Sequence, residues 1–191
     1  MDVDLTRVHA FATPTEFCAW LAGHHGDERE IWLKLYKKSS RIASITWAEA
    51  VVEALAWGWI DGIAKSNDEV SWFQRFTPRK PKSGWSKINR QHVERLIAEG
   101  RMQAPGLDAV AAAKADGRWE AAYAGSATMA FSETFLAAVA EDAAAKKTFD
   151  SLTRRQLFSF YHRLQTAKRE ETRQKLTVKM IGMLSRGETF P

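Results

Sequence analysis

The sequence holds one cysteine, Cys18, in 191 residues, which excludes an internal disulfide framework and a thiolate metal cluster. Its neighbours Phe17, Trp20 and Leu21 place it on an apolar helical face, where a buried structural thiol is expected. Nothing approaches the roughly 18 uninterrupted apolar residues of a membrane span. The chain opens with Asp2 and Asp4, where a secretory signal has a basic and then an apolar stretch, so the expected location is cytoplasmic. His24-His25, His92 and His162 show neither i, i+4 pairing nor the carboxylate spacing of a ligand set, so no metal and no cofactor are expected. There is no G-x-S-x-G, no P-loop and no glycine-rich dinucleotide fingerprint, which removes the common hydrolase and Rossmann classes.

What is present is a composition fit for a core, 45% hydrophobic, and an uneven distribution of charge. Residues 75–101 carry eight Lys/Arg against Glu94 and Glu99, and residues 151–186 carry nine against Glu170 and Glu171. With a net charge of +5 overall, the rest of the chain is therefore acidic, at −8. Two basic blocks on an acidic protein point to a local anionic partner, with a solvated basic helix face as the plain alternative for each.

The central block coincides with the aromatic one. Four of the eight tryptophans, Trp57, Trp59, Trp72 and Trp85, fall between residues 57 and 90, beside Arg75, Arg79, Lys80, Lys82, Lys87 and Arg90. Aromatic planes with fixed cations suit an anion or nucleotide site. The ligand-binding candidates are Trp59, Asp61, Trp72, Arg75, Arg79, Lys80, Trp85, Ser86, Lys87, Asn89 and Arg90, the last four polar residues lying in the first turns of a helix whose free N–H groups favour anions. The competing reading makes the tryptophans core and Asp61 a structural partner of Arg75. No nucleophile or base accompanies the cations, so no catalytic residue is assigned and enzymatic activity is left open.

Local signals give an α+β protein. Val8–Phe11 is β-prone. Thr13-Pro-Thr-Glu16 opens a helix, Glu30–Lys37 alternates as a strand, and Thr46-Trp-Ala-Glu49 opens a helix that Gly58 ends. Ile60–Lys65 and Val70–Thr77 form a hairpin, completing a small, mostly antiparallel sheet of about four strands. A helix with Ile88, Val93, Leu96 and Ile97 inward follows and ends at Gly100. The rest is helical: Leu107 and Val110 mark one helix, Ser132 caps another with Phe135, Leu136 and Val139, and Thr153-Arg-Arg-Gln156 caps a third. Leu176, Met180, Met183 and Leu184 mark the last, stopped by Gly187. The expectation is one domain over 1–191, with an α+β part at 1–102 and a helical part at 103–191 packed on it.

Several blocks occur in the order seen in a known family: Glu30-Ile-Trp-Leu-Lys-Leu-Tyr-Lys-Lys38, Gly58-Trp-Ile-Asp-Gly62, Arg75-Phe-Thr-Pro-Arg79, Trp85-Ser-Lys-Ile-Asn89, Val93-Glu-Arg-Leu-Ile-Ala-Glu-Gly-Arg-Met102 and Ala167-Lys-Arg-Glu-Glu-Thr-Arg173. Over most of its length the chain resembles the YdeI/OmpD-associated (OmdA-type) bacterial proteins. Trp57 and Glu170 depart from the pattern, standing where relatives often have a different residue and proline, respectively. The resemblance implies protection against bacteriocins or antimicrobial peptides and, through its name, an envelope-linked partner. It implies no agreed reaction.

Three classes stay open: a protection protein holding a small anionic ligand, an enzyme acting on a phosphorylated or carboxylated small molecule through Asp61 and the arginines, and a sequence-independent nucleic-acid binder. The last is not expected, because no recognition helix or RNA-binding aromatic motif accompanies the charge.

Overall fold

The computed structural model describes residues 2–167 and 169–190. The protein is α+β, with a four-stranded sheet in its N-terminal half and a helical C-terminal region. It forms two units: residues up to 85 together with 89–121, and residues 86–88 together with those from 122 onward.

The first unit holds β1 (Val8–His9), α1 (Pro14–His24), β2 (Ile31–Tyr36), α2 (Trp47–Ala56), β3 (Trp59–Ser66), β4 (Ser71–Pro78), most of α3 (Lys87–Ala98) and α4 (Ala104–Ala115). The sheet order is β1-β2-β4-β3, with β1 parallel to β2 and the remaining pairs antiparallel. A parallel pair needs a long crossover, which α1 supplies. Thr13 caps α1 by accepting from the Glu16 N–H, and Pro14 occupies the first helical position, where its missing N–H costs nothing. Thr46 and Glu49 form a complete capping box on α2.

The register fixes the two faces of the sheet. Ile31, Leu33 and Leu35 stand opposite Phe76, Gln74 and Trp72, and Trp59 and Asp61 stand opposite Pro78 and Phe76. This face meets α1: the Phe17 ring lies 5.7 Å from Phe76, and Trp20 stands edge-on to Trp59 at 5.9 Å. Gln74 is buried there because the β3 strand bulges between Asp61 and Ala64, and its amide donates to the freed Gly62 carbonyl at 3.0 Å.

Glycine is required where α4 meets the end of α2. A Cβ on Gly106 would lie 2.2 Å from the Ala56 carbonyl oxygen, and one on Gly58, at φ +72°, would lie 2.7 Å from the Pro105 oxygen. Val93 and Leu96 of α3 are buried, whereas Ile88 and Ile97, expected inward, are each 44% exposed. Leu107 and Leu136 are exposed as well, the buried members of their helices being Gly106, Val110 and Ala113 in α4 and Phe135 and Val139 in the helix capped by Ser132.

The second unit holds α5 (Glu133–Ala140), α6 (Ala143–Ser151), α7 (Arg154–Thr166) and α8 (Glu170–Ser185). Ser132 caps α5, and Thr153 with Gln156 forms the expected capping box on α7. Asp142 caps α6 through the Ala144 and Ala145 N–H groups and also accepts from Ser185 at the end of α8, tying two helices at one carboxylate. Phe135, Val139, Ala145, Phe160, Leu164, Met180 and Leu184 form the core, with Phe131, Phe149, Leu176 and Phe190 against it.

Candidate functional site

The structure gives the aromatic and cationic residues of the central block separate surroundings. Trp59 is buried in the aromatic core, its indole N–H donating to the His25 carbonyl at 3.3 Å, and Trp72 is half-buried on the same sheet face. Arg75 lies on the opposite face and is paired not with Asp61 but with Glu30, its Nε 2.8 Å from Oε2. The register explains this: Trp32 stands opposite Arg75, which brings the start of β2 alongside it.

Beyond Pro78 the connector is clasped by aromatic stacking. The Arg79 N–H donates to the Gly58 carbonyl, and its guanidinium lies 3.7 Å from the centre of the Trp85 ring and donates to the Gly84 carbonyl. Trp85 stands edge-on to Trp119 at 5.0 Å. Arg90 donates to the Trp119 carbonyl at 2.8 Å and faces Glu94 at 3.6 Å. Asn89 is half-buried, and Lys80 and Lys87 are exposed. Ser86 and Lys87 belong to the second unit, where Ser86 bridges to Tyr123 and the Lys87 N–H donates to its carbonyl.

Asp61 accepts from the Trp47 indole at 3.2 Å. Burial pushes its carboxyl above the usual aspartate range, against the Trp47 hydrogen bond and the Arg79 charge, which pull it down. The structure thus gathers Trp47, Asp61, Arg79 and Trp85 into one neighbourhood, while Arg75 and Arg90 sit in ion pairs of their own.

A concavity of the first unit lies elsewhere. A cleft of ≈ 970 Å³ opens among α1, α2, α3 and the turn after α3. Its apolar wall follows from helical spacing: Cys18, Ala19 and Ala22 share one side of α1, and Ala48, Val52 and Ala56 recur every fourth residue on α2. Small side chains on facing helices leave the volume that larger ones would fill. Cys18, expected buried, is partly exposed and lines this cleft.

The charged edge comes from Glu53, His92, Arg95 and Arg101. Glu53 is 7% exposed in the middle of the apolar run Val51 to Ala56, and Arg101 donates to its carboxylate, with Glu99 as a second partner at 3.3 Å. The Glu53 charge raises the Arg101 pKa further above neutrality. Desolvation, aided by the Arg95 charge, lowers the His92 pKa, so the imidazole is neutral at pH 7 and offers one donor and one acceptor. Glu49 is held in the capping box. Arg95 in turn faces Glu99 at 3.7 Å, so both guanidinium groups of the cleft have carboxylate partners. The cleft thus combines an apolar wall with a charged edge on which an anionic end would share Arg95 and Arg101 with Glu99, a chemistry that can hold a molecule with an apolar body and an anionic end.

The cleft residues were missed in the sequence because none belongs to the tryptophan-marked block. The signals were Glu53, a lone charge inside an apolar helix run, and the small residues repeating at helical spacing on α1 and α2. Among the described residues, no group of three or more His, Cys, Asp or Glu is arranged to hold a metal ion, and no helix is long and apolar enough to cross a membrane.

A family model described as a domain of unknown function (DUF8412) matches residues 9–109, just over half of the chain. The chain belongs to this family. Residues 128–187 match a second model, described as Bacteriocin-protection, YdeI or OmpD-Associated. The resemblance that the sequence blocks extend over most of the chain is thus matched by the OmdA model over its C-terminal part only. No curated protein and no solved structure matches the chain. Every residue lining the cleft falls within 9–109, so the cleft belongs to the part without an assigned function.

Proposed function

We propose that this protein binds a small amphipathic anion in the cleft of its first unit, and that protection of the kind named for the family matched by residues 128–187 proceeds through such binding. The carrying observation is the cleft itself, with Ala19, Ala22, Ala48, Val52 and Ala56 on one side and Arg95 and Arg101 on the other. Its volume lies in the roughly 300–1,000 Å³ range of small-molecule sites. A carboxylate or phosphate head meets the guanidinium groups, and a slim aliphatic body covers the alanine wall. His92, neutral at pH 7, adds a hydrogen bond to the head without a charge cost.

Calorimetric titration with octyl phosphate, octanoate, octanol and inorganic phosphate tests both halves of this reading. The two amphiphilic anions are expected to bind, and octanol and phosphate to bind at least about tenfold more weakly, since each lacks one half of the recognition. Arg95→Gln, an exposed substitution, should weaken the anions and leave octanol unchanged. Equal binding of octanol and octyl phosphate would remove the anionic part of the proposal; absence of binding by all four would remove the proposal itself.

A further inference from the structure

The second unit carries a pocket of its own, ≈ 640 Å³, formed by α5, α7 and α8 and the residues just before α5. Its lining lies between residues 131 and 178, within the stretch matched by the bacteriocin-protection model. The floor is aromatic. Phe135 and Tyr161 are buried, and the partly exposed Phe131 stacks on Phe135 at 5.2 Å with 20° between planes while meeting Tyr161 edge-on at 5.9 Å and 84°. Phe149 also meets Phe131 edge-on, at 5.3 Å, so Phe131 is held by three aromatic neighbours and is the partly exposed ring of the floor, the one on which a flat ligand ring can stack.

The rim is polar and electrically quiet. Its charged residues, Glu170 and Arg173, are paired with each other, and Arg173 also donates to the Ala167 carbonyl at 3.2 Å. Their opposite charges leave this rim with no net charge. The remaining polar lining includes the exposed Gln165, Gln174 and Thr134 and the half-buried Thr177. Two primary amides and two hydroxyls supply donors and acceptors together, the set that reads the edge of a neutral heterocycle carrying amide-type groups. A stacking ring below and amides at the side are how single nucleobases are held outside duplexes.

We infer that this pocket is a second binding site, specific for an uncharged heteroaromatic ring of nucleobase type, and independent of the cleft in the first unit. The test uses the full chain, titrated by calorimetry with adenosine and uridine, with methyl glucoside as a polar ring without an aromatic face and benzoate as a charged flat ring. At least one nucleoside is expected to bind, and Gln174→Leu, Thr177→Val and Phe131→Leu, each checked for an unchanged circular dichroism spectrum, should weaken it by about tenfold or more. Alkylation of Cys18, which lines only the other cavity of the two, should leave that affinity unchanged. The inference is overturned if neither nucleoside binds at millimolar concentration, if folded variants bind as the parent does, if methyl glucoside or benzoate binds as tightly as the nucleosides, or if Cys18 alkylation abolishes binding. The last result would place nucleosides in the first cleft, so failure here and failure of the proposed function are separately visible.

Discussion

Removal of the Arg101 guanidinium isolates a buried carboxylate. Glu53 keeps 9% of its side chain exposed and Arg101 keeps 45%, so the pair is dry on one side and wet on the other. Losing one partner of a fully buried pair costs about 3–5 kcal/mol, whereas exposed pairs contribute about 0–1 kcal/mol. With one partner in each regime, Arg101→Met should cost about 2 kcal/mol at pH 7. In a chain of this length that corresponds to a midpoint lower by roughly 4–8 °C. Glu53→Gln leaves a neutral amide in the same place and an arginine still reaching Glu99 and water, so it should cost about 1 kcal/mol. The double variant has no orphaned charge and should be more stable than the sum of the single losses requires, with a coupling of about 1–2 kcal/mol. Urea denaturation of the four proteins, followed by circular dichroism in low and high salt, measures this. Strict additivity, or an Arg101→Met midpoint equal to that of the parent, would show that Glu53 is solvated despite its position and would undo the description of the cleft's charged edge.

Three further outcomes follow from the geometry. Gly106→Ala should cost about 1–3 kcal/mol, because its Cβ meets the Ala56 backbone rather than a movable side chain, while Gly23→Ala, which meets nothing within 4 Å, should be neutral or stabilising by up to about 1 kcal/mol; thermal midpoints compare the two. Asp61 has a folded pKa above its unfolded value of 3.8, so its contribution to stability is full below about pH 4 and is lost as pH rises through the folded value. Asp61→Asn should therefore be more stable than the parent at pH 7, with the difference closing toward pH 4; a less stable variant at pH 7 would mean that Trp47 and Arg79 outweigh burial. Deleting residues 151–191 strips Phe160, Leu164, Met180 and Leu184 from the second core and should leave an aggregating remainder that binds hydrophobic dyes, against which a monomeric product with an unchanged midpoint would count.

Local signals carried far in this sequence. Thr13, Thr46, Ser132 and Thr153 all cap the helices they announce, because a cap is settled within four residues. Gly58, Gly100 and Gly187, read as helix stops, all take positive φ. The hairpin of β3 and β4 was legible for the same reason, its loop lying between two β-prone runs. What depended on distant pairing was not. Arg75 finds Glu30 across 45 residues, a partner visible only once β2 lies beside β4. Ile88 and Ile97 fit the apolar period of α3, yet the buried face is set by Val93 and Leu96, and only packing decides which of two adjacent faces turns inward. The cleft likewise exists only when α1 and α2 are packed together. Its trace in the sequence was a glutamate with no local reason to be buried.

Cys18 makes the central claim directly measurable, since it lines the cleft and is the single thiol of the chain. The rate of its reaction with a maleimide, read by mass spectrometry on the native protein, reports on access to the cavity. Saturating octyl phosphate should slow that reaction by about tenfold or more, while octanol and inorganic phosphate should leave it nearly unchanged, and Arg95→Gln should require more octyl phosphate for the same protection. If octyl phosphate binds by calorimetry and Cys18 still reacts at its unliganded rate, the anion is held somewhere other than this cleft and the account of the site is wrong.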